Sequence, residues 1–212
     1  MRVTRSLRAS ALLLTLLAAV PALPAAASEA DDEGWIALFN GKDLTGWQNA
    51  RKADAENKWL VEDGCLTNEH HANNIGTVEQ FKDFDLKLEY KIVAHGNSGT
   101  YLRGRIEIQI LDSFGKKELG TGDDGGIYGQ YVPKVNASNP AGEWNKLEAT
   151  YVGDTLTAKL NGKVVQDGVK ITKVTGGALR GGVNEPGPLM LQGDHGKIWF
   201  RNILIRPHPA EE

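Results

Sequence analysis

A second cysteine is missing from this chain. Cys65 is the only one in 212 residues, so no intramolecular disulfide can form and the fold must rest on a core of adequate size. Cys65 itself reads as a small buried hydrophobe rather than a catalytic thiol. Also missing, beyond the first 27 residues, is any amphipathic helical pattern longer than about two turns. Basic charge is not in excess, since 24 Lys and Arg stand against 27 Asp and Glu, and nothing draws such a chain to nucleic acid or anionic lipid. The longest apolar run, Ala11 to Val20, is about half of the ~20 residues that a membrane span needs. No internal repeat or low-complexity linker divides the chain, so a single domain is expected.

What is present begins with a leader. Arg2, Arg5 and Arg8 precede the apolar run, and Pro21 to Pro24 lead to the small residues Ala25, Ala26 and Ala27. This is the pattern of a secretory signal peptide cut after Ala27, and no Cys at the cut points to a lipid anchor. Removing residues 1–27 takes away three Arg and no acid, so the formal charge moves from −3 to −6. The expected product is a periplasmic or secreted protein with a polar lead-in at 28–33, a domain at 34–206 and a polar tail at 207–212.

Short strands and tight turns fill the domain. Asn40-Gly41 and Asp63-Gly64 read as hairpin turns near its start, and Gly153-Asp154 and Asn161-Gly162 as two more beyond Trp144. Phe84, Leu86, Leu88, Tyr90 and Ile92 alternate with Asp85, Lys87, Glu89 and Lys91, the period of a half-buried strand. Many strands and no helix predict an all-β sandwich or jelly roll of two antiparallel sheets. The polar loop holding His70 and His71 suits a metal poorly, because neighbouring side chains diverge. Asp123 and Asp124, beside glycines in a long loop, can make a turn or hold calcium or another divalent cation.

The most distinctive stretch runs from Asn97 to Asp112. Leu102, Ile106, Ile108 and Ile110 alternate with Arg103, Arg105, Glu107 and Gln109, which predicts one strand whose wet face is crowded with guanidinium, carboxylate and amide groups. If the strand ending at Ile92 pairs with it, Glu89 comes within reach of that face. Asp112, at its end, reads as a turn anchor. On structural grounds alone Glu107 and the two Arg could equally be a solvated ion-pair ladder, worth at most about 1 kcal/mol.

The blocks Leu38 to Trp47, Asn97 to Asp112, Gly126-Ile127-Tyr128-Gly129, Gly142 to Asn145, Leu160-Asn161-Gly162 and Leu191-Gln192 to Ile203 occur in the same order in the 3-keto-disaccharide hydrolase domain family, which the chain resembles over nearly all of its length after the leader. The run Gly193-Asp194-His195 carries one residue more than that pattern. The resemblance implies a concanavalin A-like jelly roll with a concave polar face for an oligosaccharide or glycoside, and cleavage of sugars oxidised at C3. That chemistry needs a base at C2, donors for an enolate oxygen and an acid for the leaving group. Glu107 and His195 are the candidates for base and acid, Arg103 and Arg105 for the enolate, and Asn97, Gln109, Tyr128 and Gln192 for sugar hydroxyls. No cofactor is required, although a metal can replace the guanidiniums as electrophile. Trp47 or Trp144 can border the groove. The alternative is a lectin-like module that binds sugar without cleaving it.

Overall fold

A computed structural model describes residues 34–69 and 71–209. The expected leader at 1–27, the lead-in at 28–33, His70 and the last three residues of the tail lie outside the described residues.

Every strand pairing is antiparallel and the strands form two sheets. The larger sheet has the order β11 (Lys163–Lys170), β10 (Thr155–Leu160), β9 (Asn145–Val152), β6 (Phe84–Ile92), β13 (Ile198–Pro207), β4 (Cys65–Asn68) and β3 (Trp59–Glu62). The two-residue β1 (Ile36–Ala37) also pairs with β13. The smaller sheet runs β2 (Trp47–Asn49), β5 (Ile75–Thr77), β12 (Met190–Leu191), β7 (Asn97–Leu102) and β8 (Ile106–Leu111). This is the all-β sandwich that the alternation and turn residues predict.

Burial alternates where the sequence does. Strand β6 is buried at Phe84, Leu86, Leu88, Tyr90 and Ile92, and these join Ile106, Ile108 and Ile110 of β8 in one apolar core between the sheets. Leu86 and Leu88 are each at most 1% exposed, so every such side chain contributes roughly 1.5–3 kcal/mol of burial. On β13 a bulge at Asn202, whose φ is +50°, keeps Phe200 and Ile203 both inward. The Asp63-Gly64 and Asn161-Gly162 turns carry two positive φ angles each, as their hairpins require. Asn40-Gly41 makes no hairpin: Asn40 Oδ1 accepts the backbone N–H groups of Lys42 and Asp43, a local turn, and β1 and β2 enter different sheets.

Two features of the chain path bear on function. The loop after Ile92 crosses from the larger sheet to the smaller, anchored by Asp112, whose Oδ2 accepts the His95 N–H at 2.9 Å. Strands β6 and β7 are therefore not neighbours, and Glu89 faces outward on the opposite sheet. The stretch from Tyr101 to Ile110 is not one strand but a hairpin. It folds back at Arg103-Gly104, both with positive φ (52° and 65°), and Arg105 N donates to Leu102 O at 3.0 Å.

Candidate functional site

The outer face of the smaller sheet carries a polar groove of about 390 Å³. The hairpin builds its floor: Tyr101 on β7 pairs directly with Glu107 on β8, and Gly99 with Gln109. Because the inward residues Leu102, Ile106 and Ile108 are held in the core, the odd-numbered positions must face out. The open edge of β8 is covered on its far side. Gly125 N donates to Gln109 O, Tyr128 N to Glu107 O, and Glu107 N to Thr175 Oγ1, so the strand cannot slide.

Glu107 is only 3% exposed although it lines the groove. Its side chain lies across Gly99, where any Cβ would come 2.2 Å from Glu107 Oε1; only glycine leaves room there. Burial pushes the Glu107 carboxyl up to about 7, while a hydrogen bond from Tyr101 and the His195 imidazole pull it down and Asp194 adds to the rise. At neutral pH such a group exchanges protons readily.

Asn97, Gln109, Tyr128, Gln192 and His195 line the same groove. Gln109 Nε2 donates to Asn97 Oδ1 at 2.8 Å. Gln192 is fixed through its backbone, its N–H bonded to Gly99 O and its carbonyl accepting from Ser98 Oγ. His195 Nδ1 lies 2.6 Å from Asp194 Oδ1. A carboxylate can only accept, so Nδ1 carries the proton and Nε2 is left for other partners. The extra residue between Gln192 and His195 leaves both on the groove.

Three expected residues are absent from this site, Arg103 and Arg105 because they form the hairpin turn and Glu89 because β6 belongs to the other sheet. Arg103 is fully buried away from the groove. Its guanidinium donates to the carbonyls of Lys82, Gly153 and Val183, pairs with Asp83 at 3.0 Å and stacks 3.7 Å over the Tyr151 ring. Arg105 donates to the carbonyls of Arg103, Arg180, Glu185 and Pro186 and so shapes the loop that brings Gly176 and Gly177 to the groove wall. Neither is free to meet an enolate. Glu89 is paired with Arg201 at 2.7 Å on the outer face of the larger sheet. Trp144 sits on that face beneath Arg201, and Trp47 is buried with its N–H on Leu38 O; neither borders the groove.

Sequence reasoning missed several groove residues. Arg51, whose Nη2 donates to Gly177 O at 2.8 Å, is the one Lys or Arg lining the cavity among the described residues. Asn49, at the end of the three-residue β2, also lines it, as do Asn73, Asn74 and Asp194 from unpatterned loops; none of these segments carries a periodic signal. Tyr101 was within reach, because a turn placed at Arg103-Gly104 puts it opposite Glu107.

The other polar clusters are already occupied by protein donors. Asp123 accepts from Lys116, Ser113 Oγ and Gly120 N, and Asp124 from Tyr90 and Ser138 hydroxyls. His71 Nδ1 lies 3.0 Å from Asp194 O. Among the described residues no group of three or more His, Cys, Asp or Glu is placed to share a metal ion, and no helix is long and apolar enough to cross a membrane. Cys65 is buried, and burial pushes its thiol up.

Comparison with known proteins adds the following. A family model described as a 3-keto-alpha-glucoside-1,2-lyase-like domain matches residues 34–206. A 3-keto-disaccharide hydrolase of Bacteroides thetaiotaomicron is 26% identical over 230 residues, covering 83% of this chain and 79% of the relative. A solved structure from Parabacteroides distasonis, named as a prospective glycosyl hydrolase, superposes with a TM-score of 0.72 at 33% identity, covering 83% of this chain and 84% of its own. A carbohydrate-binding module of Bacillus subtilis has a TM-score of 0.50 at 14% identity over 77% of this chain and 96% of its own, a likeness of fold alone.

Proposed function

Because the chain belongs to the 3-keto-alpha-glucoside-1,2-lyase-like family, we propose that it is an enzyme that cleaves glycosides oxidised at C3, with Glu107 as the base. The observation that carries this reading is a single buried carboxyl, pushed up to about 7, at the floor of a polar groove that also holds the Asp194–His195 pair. In this reading Glu107 removes the C2 proton and the electrons pass into the C2–C3 bond, leaving an enolate at the C3 oxygen. Collapse of the enolate restores the ketone, forms a C1–C2 double bond and expels the C1 oxygen, which takes a proton from His195 Nε2. Water then adds, its oxygen to C1 with one proton returned to His195, while Glu107 gives its proton to C2. Atoms and charge balance as net hydrolysis.

Arg51 takes the place that Arg103 and Arg105 vacate. As the groove's guanidinium it is suited to the enolate oxygen, with Asn97, Gln109 and Gln192 left to hold sugar hydroxyls. Residues 1–27 are read as an export leader, so the substrate would be met outside the cytoplasm; cell fractionation that finds the full chain in the cytosol would sink that part.

The test is incubation with a 3-keto-disaccharide in deuterated water. Release of free sugar with deuterium at C2, abolished in Glu107→Gln, is the expected result. Release that neither places deuterium at C2 nor slows when the substrate itself carries deuterium at C2 overturns the elimination route. Binding without release makes the protein a sugar-binding module.

A further inference from the structure

The groove floor holds a second group that the chemistry above does not use. Tyr101 is 1% exposed, stands directly opposite Glu107 in the hairpin register, and aims its hydroxyl at the groove wall, where it donates to Gly176 O at 3.0 Å. A Cβ on Gly177 would come 2.6 Å from that hydroxyl. Glycine at 99 lets the Glu107 side chain cross β7, and glycine at 177 lets the wall close over the Tyr101 hydroxyl. These two close approaches shelter carboxyl and phenol from bulk water at paired positions of the hairpin.

We infer that Tyr101 is a positioning residue for Glu107: its hydroxyl donates to the ionised carboxylate and turns to the Gly176 carbonyl when Glu107 carries the proton. The phenol has one proton and two acceptors within reach, so it can serve one at a time. Burial and the Glu107 charge raise the Tyr101 hydroxyl far above its ordinary value, so it stays a neutral donor at any working pH. Its hydrogen bond lowers the Glu107 carboxyl against the rise that burial causes. The couple thus trims a carboxyl that desolvation alone would hold protonated. The other titratable or charged groups lining the groove are Tyr128, Asp194, His195 and Arg51, and all four remain in the variant below.

This inference rests on Glu107 as the base, yet its test separates from turnover. In the folded full-length protein the Glu107 carboxyl carbon is titrated by NMR, in wild type and in Tyr101→Phe. The midpoint is expected to rise in the variant by about half a pH unit or more; an unchanged or lower midpoint overturns the inference. In kinetics, the acidic limb of the kcat profile moves up by the same amount and activity recovers at high pH, with KM little altered. A merely structural role would lower activity equally at every pH and also overturns it. If Tyr101→Phe does not fold, the wild type decides: the Tyr101 ring carbon bearing oxygen should shift with the Glu107 midpoint, and a flat trace overturns the coupling. A wild type that releases no sugar defeats the enzyme reading, while the NMR titration still judges the coupling.

Discussion

Glu107 is held in a conflict between burial and charge. Its carboxyl is raised from an ordinary 4.5 to about 7, so the folded state binds a proton more tightly than the unfolded chain does. The stability this contributes is complete below about pH 4.5 and is lost as pH rises through 7. Ionised Glu107 therefore costs the fold up to about 3 kcal/mol at pH 8. Glu107→Gln should raise the melting temperature at pH 8 and change it little at pH 4.5, while sugar release falls by about 10³-fold or more. A variant less stable than wild type at pH 8 would contradict this account. The pH–rate profile of the wild type should climb through a midpoint near 7, and a limb centred near 4.5 would mean that another group takes the proton.

The β7–β8 hairpin shows how far an element can be read from sequence. Alternation from Tyr101 to Ile110 was legible, and Glu107, Gln109 and the apolar face were assigned to the correct sides. The fold-back was not legible, for a geometric reason. A turn of three residues, 103 to 105, separates the paired Leu102 and Ile106 by an even number, so the two-residue period runs through the turn unbroken. The charge density that made the strand look like a site was partly the turn itself. Arg103 became a staple instead, satisfying three carbonyls from separate loops. Arg103→Met strips the Lys82 and Gly153 carbonyls of their side-chain donor and leaves Asp83 with the Gly153 N–H but no cation, and should cost about 3–5 kcal/mol, seen as a lower denaturation midpoint. The groove lies elsewhere, so kcat/KM of the protein that remains folded should stay near wild type; a selective loss of kcat would return Arg103 to the chemistry.

At the scale of the molecule, local turns and strand periods predicted the sandwich, but pairing between distant segments did not follow from them. β1 joins β13 and the chain changes sheets after Ile92, and contacts of that range leave no local pattern. Adjacency in sequence suggests that β6 pairs with the next strand and carries Glu89 to the groove, whereas Glu89 lies on the other sheet. Two buried carboxyls also set the response of the whole fold to pH. Burial pushes Asp124 up to about 6, against hydrogen bonds from Ser138 and Tyr90, so its contribution, like that of Glu107, is full below about pH 4 and lost as pH rises through 6. Asp85 and Asp123 act oppositely. Burial alone would raise them, but hydrogen bonds from Thr150, His208 and Arg206 to one, and from Lys116, Gly120 and Ser113 to the other, hold both below 3.8. Their contribution is lost as pH falls through that range. Glu107 and Asp124 should therefore each subtract from thermal stability as pH rises through their midpoints. Asp124→Asn should flatten the decline in melting temperature between pH 4 and 7; an unchanged slope would clear Asp124 of the effect.

The glycine beneath Glu107 leads to a thermodynamic signature. With no side chain at 99 the carboxyl sits against the β7 backbone, where a sugar ring laid over it removes the little solvent exposure that it keeps. Occupancy should then draw a proton from the medium near neutrality, and the heat released on mixing should depend on the ionisation enthalpy of the buffer. Calorimetry of Glu107-intact protein with a non-cleavable sugar analogue in phosphate and in Tris should give different apparent enthalpies, with the difference absent in Glu107→Gln. Equal heats in both buffers would mean that ligand and proton do not share this floor.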